Sequence, residues 1–167
     1  MIVEERVRTD PDAAVVVALI RHERDLLDRG DLSHWMELFC DDGVYWMPSH
    51  PEQTDPAGAI SLLLEDRPLM RIRAGNFQHP LSPAMAHSIR STRLMELTQI
   101  ERCADNGCHW RVVANFHAVV SYREQQQIFA GRYTYLIREE GKNKLIWRKR
   151  VDIINVDHAL KSIVTYI

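Results

Sequence analysis

Apolar positions in the first part of the chain recur at helical spacing. In TDPDAAVVVALIRHERDLLDRGD, Val16, Leu19, Ile20, Leu26 and Leu27 share one stripe, on which Glu23 is the only polar residue. Asp10 suits the cap, Pro11 the first helical position and Gly30 the stop. A short second helix is expected in DLSHWMELF, capped by Asp31 and burying Trp35, Leu38 and Phe39. Together these helices are expected over about residues 11–40. Asp41, Asp42 and Gly43 then read as a turn, and VYWMP as a strand that ends at Pro48. Strand alternation sends Tyr45 and Trp46 to opposite sides.

Residues 49–58, SHPEQTDPAG, are loop by composition. AISLLLEDRPLMRIRAGN predicts a helix from about Ser61 to Arg73, and Pro80 and Pro83 mark another loop. The period then changes from helical to two. HSIRSTRLMELTQIE, HWRVVANFHAVVSYRE, QIFAGRYTYLIRE and KLIWRKRVDIINV read as long strands, with hairpin-like turns at ADNG and EEGKN. In the second of them Trp110, Val112, Ala114, Phe116, Ala118 and Val120 share one face. Arg111, Asn115 and His117 lie on the other, more polar face. In the fourth, Arg148 and Arg150 share a face opposite Trp147, Lys149 and Val151.

Helices followed by a strand meander imply α+β architecture. Runs this long exceed the usual ~5–6 residues of a strand, so the sheet must coil. The expectation is a single domain over residues 1–167: a cone with an open mouth, its mainly antiparallel curved sheet formed by about residues 86–157 and wrapped around the N-terminal helices.

Composition narrows the function classes. The chain is 46% hydrophobic and 26% charged, an ordinary globular balance, and its net charge of −2 argues against a nucleic-acid binder. The cysteines, Cys40, Cys103 and Cys108, form no CxxC pair and read as reduced thiols of a cytoplasmic protein. The opening MIVEERVRTDPD is too charged for a signal peptide, and no run approaches the ~18 apolar residues of a membrane span.

Candidate chemistry is sparse. A Rieske cluster needs two Cys and two His ligands, and Cys108–His109 has no second such pair. Asp31 and His34 are a fragment of a two-His-one-carboxylate set without its second histidine, and Asp31 also reads as a helix cap. Asp41, Asp42, Tyr45, His87 and His117 would serve proton transfer or dehydration if they converged in the cone. Tyr45, Asn115 and His117 are the candidate pocket residues. Against this stand Asp41 and Asp42 as turn residues and His117 as a hydrogen-bonded core histidine. No GxSxG, GxGxxG or GxxxxGK occurs. Arg71, Arg73, Arg148, Arg150 and the apolar ending with Tyr166 and Ile167 are the candidate subunit interface.

The ordered segments LLDRGDLSHWMELFCDDGVYWMP, AISLLLEDRPLMRIRAGN, SIRSTRL, RVVANFHAVVSYRE, FAGRYTYLIRE and LIWRKRVDIINVD resemble the small (β) subunits of Rieske-type aromatic-ring-hydroxylating dioxygenases. The resemblance runs from about Ala14 to Ile167 and rests on order and spacing, above all AGRYTYLIR followed by KRVDIIN. It implies the cone-like fold shared with nuclear transport factor 2, ketosteroid isomerase and scytalone dehydratase. It also implies a small subunit without metal, in a hexamer of three large (α) and three small (β) subunits whose small subunits associate around a threefold. The Rieske iron–sulfur cluster and mononuclear iron are then expected in the large subunit, with an electron-transfer reductase acting on the complex. YWMP and the ISLL–LEDR–RI region look most like benzoate-, toluate- and anthranilate-type enzymes of aromatic catabolism. The competing reading is a stand-alone isomerase, dehydratase or cyclase using Asp42, Tyr45 and His117; a third is a binding or scaffold module. Turnover by the chain alone separates an enzyme from a subunit.

Overall fold

The computed structural model describes residues 3–78, 89–103, 107–158, 160 and 162–167. Three N-terminal helices come first: α1 (Val3–Thr9), α2 (Pro11–Arg29) and α3 (Leu32–Glu37). The capping signals act as expected. Asp10 accepts from the Asp12 N–H at 3.0 Å, Pro11 opens α2, and Gly30 closes it at φ 70°. The Asp31 carboxylate accepts from the His34 N–H at 3.3 Å and its ring Nδ1 lies at 2.8 Å, so Asp31 is a cap. Helix α1 lies outside the expected helical span.

Strand β1 (Phe39–Pro48) begins earlier than expected, and the Asp41–Asp42–Gly43 turn is a bulge inside it. Against the parallel neighbour β6 (Asn143–Ile153), Phe39 pairs with Ile146 and Val44 with Arg148. Four residues of β1 therefore face one residue of β6, Trp147. Gly43 is needed in this crowded bend, because a Cβ there would lie 2.8 Å from the Cys40 carbonyl oxygen.

The helix expected from Ser61 to Arg73 is two elements, strand β2 (Ser61–Asp66) and helix α4 (Arg67–Gln78). SLLLE is apolar enough for either period, and pairing with β1 decides it: Trp46 faces Leu64 and Val44 faces Asp66. Asp66 then caps α4 by accepting from the Leu69 N–H at 3.0 Å, and Pro68 sits in the first turn, where its missing N–H costs nothing.

Strands β3 (Arg90–Arg102), β4 (Trp110–Tyr122) and β5 (Gln125–Glu140) complete a six-stranded sheet of order β2-β1-β6-β5-β4-β3. Neighbours are antiparallel except β1 and β6, so the sheet is mainly antiparallel as expected and the fold is α+β. Arg123 and Glu124, both at positive φ, form the β4–β5 turn. Cys103 and Cys108, expected as free thiols, are joined across the β3–β4 connection, where the hairpin brings their Cα atoms to 5.6 Å; Cys40 is free and buried.

The sheet's concave face and α2 enclose one core. Ile20, Trp35, Phe39, Tyr45, Trp110, Phe116, Tyr133, Tyr135 and Ile146 are all at most 1% exposed within it. The mouth of the cone is closed by residues 162–167, whose Tyr166 and Ile167 are fully buried.

Candidate functional site

The interior of the cone carries charge. Glu23 on α2, the polar exception in an apolar stripe, meets Lys149 on β6 at 2.8 Å, and both are fully buried. The Trp35 indole N–H donates to Glu23 Oε1 at 2.7 Å, and the Tyr135 hydroxyl donates to Oε2 at 3.2 Å. The Lys149 ammonium also lies 4.3 Å from the Tyr133 ring centroid. Burial pulls the Lys149 ammonium down to about 8, against the attraction of Glu23. Burial likewise pushes the phenols of Tyr45, Tyr133 and Tyr135 upward, so they remain neutral at ordinary pH.

A second network runs to the mouth. Arg93 on β3 binds Asp28 through its backbone N–H at 3.0 Å and its guanidinium at 2.5 Å, and donates to the Tyr166 carbonyl oxygen at 2.5 Å. The Tyr45 hydroxyl donates to the Ile167 carbonyl oxygen at 2.8 Å. The Tyr166 hydroxyl donates to Glu65, which also binds Arg73 Nε at 2.7 Å. Arg93 Nε and the Tyr133 hydroxyl are buried without a hydrogen-bond partner among the described residues.

Tyr45 lies within this interior, but Asn115 and His117 do not join it. Both are exposed on the convex face of β4, because its other face, with Trp110, Val112, Ala114 and Phe116, points inward. The polar face of that strand is the outside of the cone. Asp42 is also outside, gripped by Arg138 at 2.7 and 2.8 Å, and this guanidinium holds its carboxyl below the usual range. Asp41 pairs with Arg67 at 2.5 Å. Asp42, Tyr45 and His117 therefore form no constellation. His87 lies outside the described residues.

The interface candidates divide in the same way. Arg71 is exposed, whereas Arg73 is committed to Glu65. Arg150 is held by Asp152 at 2.7–2.9 Å and by the Gln53 carbonyl oxygen at 2.6 Å, and it covers Trp46 at 4.5 Å. That cover explains why Trp46, on the opposite side of β1 from Tyr45, is 2% exposed. Arg148 stands with Trp147 (5.3 Å to the ring centroid), as does Arg138 at 4.1 Å. The bulge thus moves Trp147 from its expected place beside Lys149 to the arginine face. Tyr166 and Ile167, expected at a subunit contact, have no exposed surface.

Sequence reasoning missed the roles of Lys149, Arg93, Glu65 and Tyr135. Glu23 alone announced itself, as a carboxylate in an apolar stripe. Among the described residues no three His, Cys, Asp or Glu side chains converge, and Cys103 and Cys108 are tied to each other. No helix among the described residues is long and apolar enough to cross a membrane.

A sequence profile described as the ring hydroxylating beta subunit matches residues 22–158. The β subunit of benzoate 1,2-dioxygenase from Burkholderia mallei is similar at 25% identity and TM-score 0.69, over 92% of this chain and 96% of that one. A β subunit assigned to an aromatic-ring-hydroxylating dioxygenase of Novosphingobium aromaticivorans shares 16% identity at TM-score 0.64, over 90% and 92% of the two chains. A ketosteroid isomerase-like protein from Erwinia carotovora atroseptica shares the fold at 12% identity and TM-score 0.60, over 84% and 95%. Among curated proteins none matches.

Proposed function

Since the chain belongs to the ring-hydroxylating β subunit family, we propose that it is the non-catalytic small subunit of a multicomponent dioxygenase that dihydroxylates an aromatic ring. Its task in this reading is to support assembly of the large subunit, three of each forming a hexamer with the small subunits around a threefold. The Rieske cluster and the mononuclear iron reside in the large subunit, and a reductase supplies electrons to it, in the cytoplasm. The likeness to a benzoate dioxygenase β subunit favours an aromatic carboxylate as substrate. The observation that carries the reading is the filled cone: a Glu23–Lys149 pair, stacked aromatics and residues 162–167 occupy the space where a ligand would sit. The rim and convex face, with the exposed Arg71 and the half-buried Arg148 and Arg150, are the surfaces offered to other subunits.

The test is turnover by the assembled enzyme carrying Asp42→Asn or Tyr45→Phe in this chain. Asp42 is expected to act through Arg138, and Tyr45 through the Ile167 carbonyl oxygen and N–H. Turnover per assembled complex should stay within about twofold of the parent. A loss of ~100-fold or more with the assembly intact, the scale of lost acid–base catalysis, would contradict the proposal.

A further inference from the structure

The stretches AGRYTYLIR, on β5, and KRVDIIN, on and just after β6, lie side by side in the sheet. Their inward residues Tyr133, Tyr135, Lys149 and Val151 are buried in the core. Their outward residues have no task there. Arg132 pairs in register with Asn115 on one side and Asp152 on the other, and Thr134 pairs with Arg150. These five side chains line a recess of about 600 Å³ on the convex face, to which Pro51, Ile154 and Val156 add apolar surface. Asn115 is thus a recess residue, outside the cone rather than within it.

Charge in the recess does not balance. Arg150 is held by Asp152 at 2.7 Å, and Arg111, also in the lining, by Glu101 at 2.9 Å. Arg132 is exposed and has no carboxylate or carbonyl partner among the described residues, where the side chains of Asn115 and Thr134 also make no hydrogen bond. One guanidinium fork with two polar neighbours is left for a carboxylate, the group whose two oxygens match its geometry. The surroundings are aliphatic. Ile154 is 76% exposed beside the recess, and its N–H donates to the Ala130 carbonyl oxygen at 3.0 Å. On the same face Leu94 and Ile128 are equally bare. A free arginine among exposed aliphatic side chains has the composition of a protein contact.

The occupant follows from this geometry. The recess is a shelf on an open sheet face, so a small molecule in it would stay largely in water, whereas a protein laid over the sheet excludes the water. A second copy meeting this face across a twofold axis would set two Arg132 guanidiniums against each other. Resting on the small-subunit reading above, we propose that the recess is the docking site for a carboxylate side chain of the large subunit. Arg132 takes the carboxylate, Asn115 and Thr134 flank it, and Ile154, Ile128 and Leu94 supply the apolar contact around it.

The test compares the isolated chain with the complex captured through a tag on it. Arg132 should react with phenylglyoxal, an arginine-modifying dicarbonyl, at least about 10-fold more slowly in the complex, read by peptide mass mapping. Arg132→Glu should lower the yield of the complex about 10-fold or more while the isolated chain keeps the parent's melting temperature, and Arg132→Lys should retain most of the yield. If Arg132→Glu does not fold, Arg132→Gln serves for the same comparison. A bound large subunit with Arg132 as reactive as in the chain alone overturns the docking site and leaves the small-subunit reading standing, as does parent-like yield from the folded charge-reversal variant. Protection already present in an oligomer of the chain alone assigns the recess to a second copy and overturns the proposal. Absence of any large subunit on the parent chain removes the reading itself, and the proposal with it.

Discussion

Lys149→Met should destabilise the folded chain by about 3–5 kcal/mol, measured as a lower urea midpoint at unchanged slope. The substitution is close in volume and apolar, so packing is little changed. What is lost is the cation 2.8 Å from a fully buried carboxylate. Glu23 would keep the Trp35 and Tyr135 donors, but two neutral hydrogen bonds do not replace an ion partner inside an aromatic cage. The double variant Glu23→Gln/Lys149→Met should recover to within about 1–2 kcal/mol of the parent, since no charge is then buried and Gln Oε1 can still accept from Trp35. A single-variant loss below about 1 kcal/mol would mean that the pair is not held in the dry interior described above.

Trp35→Ala should cost about 3–5 kcal/mol as well, through a different mechanism. The indole touches three rings, Phe39 at 4.9 Å, Tyr45 at 5.9 Å and Tyr166 at 4.4 Å, and is fully buried between α3 and the sheet. Its removal opens a cavity and takes away a donor to Glu23. Both the helix packing and the closed mouth depend on it, so the yield of the assembled complex should fall together with the unfolding free energy. Thermal and urea unfolding of the isolated chain, with native mass of the complex, check both. Parent-like stability in Trp35→Ala would contradict the core as described.

These effects show which parts of the structure were readable beforehand. Local signals behaved as elementary chemistry predicts: Asp10, Pro11 and Gly30 bound α2, and strict alternation orients β4. Ser61–Asp66 misled because LLL satisfies helix and strand periods alike, and only a partner strand distant in sequence chooses between them. Asp41–Asp42–Gly43 resembled a turn because a bulge uses the same residue types.

The site was harder. Asn115 and His117 are candidate pocket residues by their place on the more polar face of β4, yet this cone is lined by aromatics with a few charges, and that face of β4 points outward. Alternation groups Lys149 with Val151 opposite Arg148 and Arg150, and both are buried, but a lysine on that face gives no local hint of its carboxylate partner. Glu23 was visible as an anomaly, but its partner lies 126 positions away. Long-range pairing of this kind leaves no periodic trace in either segment.

The most direct measurement is the native mass and iron content of the complex isolated through a tag on this chain, with the chain expressed alone as the control. The account predicts a larger iron–sulfur protein at equal stoichiometry in the first sample and no bound iron in the second. A small homo-oligomer without a partner, or stoichiometric iron on this chain alone, would contradict it.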